Sequence, residues 1–538
     1  MMKKTSSFLF LAAVLALLSG CGGKSSTGTG GATGNVPATG NDKHLIVVVN
    51  PDYESFDPAI AYEPYGSMII HACYDNLVEF DGSLENLVPA VAESYGVSDD
   101  GLTYTFKLRS GIRFASGNPL TAADVRWSIE RGINIKGNAS FMAAGITGID
   151  APDDATVIFH VKERDPSFPI ELAFNFFAIL DSKTATAQGA TNAPDAATTD
   201  TAKTWLDTHA VGSGPYQIES YTPKVAVVLV RNPHYWGKAP YYDKITVSTV
   251  TDSNTQLMML RAGDVDIAFN LGAEQIKGLA GVSGITILDA QSLTSSFLLM
   301  NRDPAIGGPV ANPKVQKAIR LALDYPGIQT IAGPGMHTPA APFPLGLLGS
   351  LPPVNVSGYP KVAEAKALLA EAGVGSGFST KLYVPTNTVV GVELLTLAQK
   401  LQHDLAAIGI TAELVPENIT ISLETYRTGR QPLGLWYWSP DYPDNNSQLA
   451  FLPGNTVGLR ANWTVAGNPT LAALGTQAAS ETDQATRIGL FNQIQQTMIE
   501  DTPFAMLLQH TSQYAVRTGL TGATYLELYQ LDLKRIAE

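Results

Sequence analysis

The chain has 538 residues, 45% hydrophobic and 16% charged, which is more apolar material than one core can hold and enough for about three domains. Its formal net charge is −14, and loss of Lys3 and Lys4 with a cleaved leader leaves 33 basic against 49 acidic groups, a net of −16. A surface of that sign repels nucleic acid and anionic lipid, so neither is an expected partner.

The N-terminus reads as a targeting segment. Lys3 and Lys4 precede an apolar run of eleven residues, Phe8 to Leu18. A bilayer span needs about twenty, so the run is too short to cross. Leu18, Ser19, Gly20 and Cys21 then resemble the lipobox of bacterial lipoproteins, which implies cleavage before Cys21 and a lipid on its thiol. Gly22 to Asn41 is nearly all Gly, Ser, Thr and Ala. Such a tether cannot pack and would span about 25 Å root-mean-square. The second cysteine, Cys73, leaves the mature chain without an intrachain disulfide and lies in an apolar helical stretch, where a small buried hydrophobe is expected.

The folded part starts near Asp42. "HLIVVVN" is an apolar strand ended by Asn50 and Pro51. Next, Leu102, Tyr104, Phe106 and Leu108 alternate with Thr103, Thr105, Lys107 and Arg109, the pattern of a half-buried strand. Thr156 to Val161, Val225 to Val230 and Ile245 to Val250 read the same way. The low-complexity stretch Ala185 to Ala202 and the Pro/Gly-dense stretch Ala332 to Tyr359 are loop-rich, and either could mark a boundary. Pro313 opens a helix with Val315, Ala318, Ile319 and Ala322 on its core face. Val362, Ala365, Leu368, Leu369 and Ala372 mark another, closed by Gly373. Leu394, Leu397, Leu401, Leu405 and Ile408 stripe a third, which Gly409 delivers into the strand "ITAELVP". A helix feeding directly into a strand is α/β construction.

No catalytic signature interrupts this pattern: there is no G-x-S-x-G elbow, no phosphate loop and no G-x-G-x-x-G after a strand. The eight histidines are scattered without metal-ligand spacing. The sequence therefore predicts no enzyme activity, no cofactor and no metal.

Several phrases, taken in order, resemble the extracellular solute-binding proteins, family five, of ABC importers. They include "FDPAIAYEPYGSMIIHACYDNLVEFD", "LVPAVAESYGVSDDGLTYTFKLRSGIRFASGNPLTAADVRWSIER", "GSGPYQIESYTPKVAVVLVRNPHYWG" and "LMMLRAGDVDIAF". The pattern continues through "VANPKVQKAIRLALDYPGI", "AEAKALLAEAG" and "DQATRIGLFNQIQQTMIEDTPFAMLL", so the resemblance covers Asp42 to the end. It implies an α/β, two-lobed periplasmic-binding-protein-like fold (type II, cluster C) with an extra domain inserted in the first lobe. The expected limits are 42–75 with 210–296 and 505–538 for the first lobe, 76–209 for the inserted domain and 297–504 for the second lobe. It also implies a monomer that captures di- or oligopeptides between closing lobes and hands them to a membrane permease and ATPase. The protein would be exported and held by Cys21 in the periplasm or on the outer face of the cytoplasmic membrane. Rival readings are a binder of an opine, a sugar or a nickel chelate, a peptide receptor for signalling, and a secreted hydrolase.

The stretch "LWYWSPDYPDNN", Leu435 to Asn446, bears on the choice. As a strand it places Trp436 and Trp438 on one face, and the turn-dense loop after it carries Ser439, Asp441 and Tyr442. From residue types alone the indoles could be core and Asp441 a turn cap. The resemblance instead implies that Asp441, three residues after Trp438, pairs with the ligand's α-amino group. Leu435 stands where similar oligopeptide binders carry an arginine, and Arg427 or Arg430 is close enough in sequence to replace it. The opposite wall is expected from "AYEPYG", with Tyr62 and Glu63 as the contacts.

Overall fold

The computed structural model describes residues 43–538 apart from Asp52, Glu54 and Glu85, so the leader, the tether and Cys21 lie outside the described residues. The apolar runs become strands of one ten-stranded mixed sheet. Its order is Ile410–Glu417, Phe378–Pro385, Leu433–Trp438, Ile285–Met300, Phe504–Arg517, Ile267–Ala268, His44–Val49, Lys244–Thr249, Ala226–Arg231 and Tyr216–Thr222. A separate four-stranded antiparallel sheet holds Ala92–Val97, Thr103–Leu108, Thr156–Val161 and Ile146–Asp153.

The cores follow the periodicities. In Thr103–Leu108 the alternation holds, with Tyr104, Phe106 and Leu108 buried. Helix Pro313–Ala322 is capped by Asn312, which accepts from the Lys314 amide at 2.9 Å, and buries Val315, Ala318, Ile319 and Ala322. Val315 and Ile319 each contribute about 1.5–3 kcal/mol when fully withdrawn from water. One cluster joins Leu45 through Tyr74 with Val227, Ile245, Tyr514 and Leu531. A second, around the four-stranded sheet, joins Phe106, Ile129, Phe159 and Phe176. A third and a fourth lie on opposite faces of strand Leu433–Trp438, one around Leu433 and Leu435, the other around Trp436. Cys73 is buried within helix Pro64–Cys73, and burial pushes its thiol well above the ordinary range.

Ala185 to Ala202 departs from the loop expectation. Ala185, Ala190, Ala196 and Ala202 are buried, short helices occupy Ser182–Ala187 and Ala196–Thr199, and Asp200 accepts from the Arg131 Nε at 2.8 Å. Small side chains let this segment pack tightly, so low complexity here is a fitted surface and not a linker.

Two long antiparallel strands, Ile285–Met300 and Phe504–Arg517, pair near the middle of the ten-stranded sheet. Their pairing is interrupted between Gln291 and Ser295. Ser292, Leu293 and Thr294 thus lack ladder partners, and the strand is interrupted there.

Candidate functional site

Strand Leu433–Trp438 ends beside this interruption, and the two indoles on its one face meet different fates. Trp436 is core: it is 2% exposed, stacks on Tyr426 with ring centroids 4.1 Å apart, and donates its Nε1 hydrogen to Gln431 Oε1 at 2.7 Å. The expectation that both indoles line a ligand wall is corrected, because a saturated and enclosed Trp436 has no surface to offer. Trp438, at the strand's end, is half-buried with its edge toward Phe451, and its buried Nε1 has no partner.

The following loop meets a residue far away in the sequence. The Tyr62 hydroxyl donates to Asp441 Oδ1, joining residues 379 positions apart. Burial pushes the Asp441 carboxyl above the usual carboxylate range, and the Tyr62 bond and the Arg460 charge pull it partly back. Burial, then the charge of Asp441, raises the Tyr62 phenol, so the proton stays on Tyr62. Tyr62 is itself steered by Glu63, whose carboxylate accepts from the Tyr62 amide at 2.7 Å. Its ring lies edge-on to Phe141 and Phe174 at 6.1 and 6.2 Å.

The same loop makes a second contact with a distant part of the chain. Tyr442 packs against the cluster of the four-stranded sheet, and its hydroxyl donates to Glu171. Burial raises the carboxyls of both Glu171 and Asp165, Glu171 by more, and the two share a hydrogen bond. Arg487 grips Asp444 through two bonds of 2.8 and 2.6 Å and donates to Ser167 Oγ at 3.0 Å.

Ser439 is exposed at the end of the strand and already bonded within the protein. Its hydroxyl donates to Glu527 Oε1 at 2.6 Å. The same carboxylate accepts from Ser292 Oγ, the Leu293 amide, Thr294 Oγ1 and the Tyr525 hydroxyl at 2.8, 2.9, 2.9 and 2.8 Å. Glu527 therefore takes the Leu293 amide, which the interrupted ladder leaves unpaired, and the hydroxyls of both its neighbours. Neither proposed substitute for the missing arginine arrives. Arg427 and Arg430 are exposed at the far end of the strand, and Arg430 bonds Thr428 and pairs with Glu424. That end is about 17 Å from Trp438 at roughly 3.3 Å per residue. Leu435 is fully buried.

Sequence reasoning missed Glu527, Glu171, Arg487 and Arg460. Only Arg487 carried a signal, as the one cationic residue of the helix Gln484–Glu500. Two open hollows, lined by residues such as Arg109 and Trp236 in one and Gln329 and Met336 in the other, include no residue of the Asp441 loop. Among the described residues no group of three His, Cys, Asp or Glu side chains could hold a metal, and no helix is long and apolar enough to cross a membrane.

A large mixed sheet flanked by helices, a separate four-stranded sheet, and aromatic and carboxylate side chains brought together from distant parts of the chain fit a two-lobed solute-binding protein. The chain belongs to the bacterial extracellular solute-binding proteins, family 5, whose model matches residues 86–458. It is a binding protein and not an enzyme. It is similar to the probable D,D-dipeptide-binding periplasmic protein of Escherichia coli, at 26% identity over 495 residues, covering 89% of this chain and 91% of that one. The heme-binding protein A of Haemophilus influenzae is likewise 26% identical, with 93% of each chain covered. A solved periplasmic binding protein from Helicobacter pylori, in complex with the peptide STSA, shares the fold with a TM-score of 0.74 at 24% identity, covering 92% of this chain and 98% of that one.

Proposed function

We propose that the protein captures peptides for an ABC importer, holding the ligand's amino group at Asp441. The supporting observation is the Tyr62–Asp441 contact, which joins a half-buried carboxylate, raised by burial, to an aromatic residue 379 positions away. A peptide lies there by main-chain hydrogen bonds in the manner of strand addition, its ammonium taking the Asp441 oxygen that Tyr62 leaves free. Trp438, Tyr442 and Tyr62 form the aromatic walls, with Glu63 holding Tyr62. Closure then creates the surface that the permease and ATPase recognise. The lobe limits are those expected from the sequence, and the protein works as a monomer tethered by a lipid on Cys21.

Mass spectrometry of material released by gentle denaturation tests the cargo: a ladder of short peptides is the expected result, and a single opine, sugar or chelate overturns it. Removing one partner of a buried charge pair costs about 2–5 kcal/mol. Asp441→Ala therefore weakens amine-bearing ligands at least roughly thirtyfold. Unchanged affinity removes Asp441 from the site.

A further inference from the structure

The carboxylate of Glu527 ties together parts of the chain that belong to different cores. It stands on the hairpin formed by Tyr525–Leu526 and Gln530–Leu531. Tyr525 and Leu531 belong to the cluster of Val227 and Ile245, and Leu526 and Tyr529 to that of the four-stranded sheet. The two long strands pass from one core to another. Leu288 and Tyr514 pack with Val227 and Ile245, whereas Leu298 and Leu507 pack with Leu433 and Leu435. Residues 292–294, where the pairing of these strands is interrupted, are therefore the link between two cores, and a strand bends where its ladder is broken.

The two oxygens of Glu527 have different partners. Oε2 accepts from Ser292 Oγ, the Leu293 amide and the Tyr525 hydroxyl, all of them on the link or on its own hairpin. Oε1 accepts from Thr294 Oγ1 at 2.9 Å and from Ser439 Oγ at 2.6 Å. Ser439 follows strand Leu433–Trp438, which packs in the other core, and lies two residues before Asp441. Of the five bonds, the one from Ser439 alone reaches across from the hairpin to that strand. All five donors are neutral, and a carboxylate accepts on both of its oxygens where an amide side chain accepts on one.

We propose that Glu527 is a positioning residue for ligand capture: Oε2 fixes the link between the two cores, and Oε1, through Ser439, clasps the end of the Asp441 strand to it. Opening about residues 292–294 carries Ser439 away with its strand and breaks the clasp, while the bonds of Oε2 sit at the pivot and survive. A contact made in one state alone shifts the equilibrium toward that state, here the closed arrangement in which Tyr62 meets Asp441. The inference goes beyond the peptide reading and does not depend on what the cargo is.

The test uses the whole protein, freed of cargo by partial unfolding and refolding, with S439A, E527Q and the double variant S439A/E527Q. Small-angle scattering reads the closed-to-open ratio, and deuterium exchange reads the amides of residues 292–294. Because Ser439 is exposed, its bond is of ordinary strength, and S439A lowers the ratio by about threefold to tenfold with exchange at 292–294 unchanged. E527Q opens the protein at least as far and speeds exchange at 292–294, and the double variant opens no further than E527Q, since both substitutions remove the same bond. A purely structural role for Glu527 would lower the melting temperature of E527Q and leave the scattering of S439A like that of the parent. An S439A curve that superimposes on the parent's overturns the proposal even where E527Q fails to fold, and so does a double variant opened by the sum of the two single effects.

Discussion

Tyr62→Phe deletes one oxygen and tests the centre of the site. In the structure that hydroxyl donates to a carboxylate already raised by burial, and it is the larger of the two influences that pull Asp441 back toward its ordinary range. A hydrogen bond to a charged group is worth about 1.5–3 kcal/mol, so the closed, liganded state loses roughly tenfold to a hundredfold in affinity at neutral pH. A second effect has a definite sign. Binding of an ammonium needs Asp441 ionised, so affinity is present above its pKa and is lost as pH falls through it. Without Tyr62 that pKa rises further, and the loss begins at a higher pH than in the unsubstituted protein. Isothermal titration with a co-purified peptide between about pH 4 and pH 8 reads both effects. The Phe141 and Phe174 contacts keep the ring in place, so the melting temperature serves as a folding control. A variant within twofold of the parent at neutral pH, with an unshifted acid limb, refutes the assignment of Tyr62 and Asp441 as one unit.

Four further outcomes follow from the same geometry. Because burial raises the Glu171 and Asp165 carboxyls, their neutral forms favour the closed interface, which is intact at low pH and weakens as pH rises through the raised values; scattering measurements of closure across that range see the change, and E171Q flattens it. Arg487→Met strands Asp444 as a buried unpaired charge and costs about 3–5 kcal/mol in chemical denaturation; a loss under about 1 kcal/mol contradicts the reading. Gly137→Ala places a Cβ 2.1 Å from the Ala59 carbonyl oxygen, on the loop that carries Tyr62. It should destabilise by about 1–3 kcal/mol or more and weaken ligand binding, both visible by thermal shift and titration. Cys73, buried with its thiol raised, stays unlabelled by thiol reagents until denaturant is added, and fast labelling of the native protein disproves its burial.

The sequence by itself determined the elements and their class. Alternation in Thr103–Leu108, the 3,4 stripe of Leu394–Ala406 and the Gly409 turn, at φ +87°, into Ile410–Glu417 are local consequences of side-chain periodicity and backbone freedom, so they survive without tertiary information. It also drew attention to Tyr62 and Asp441, which the fold joins. Only the tertiary structure decided which of two equivalent indoles is core. Trp436 and Trp438 share a face and differ by two positions, and what separates them is that Tyr426 and Gln431 cover one and leave the other at the strand's end. The same holds for Ser439 against Glu527. These choices depend on contacts between residues tens to hundreds of positions apart, and hydrophobic pattern reports which face a side chain takes, not which partner the returning chain brings to it.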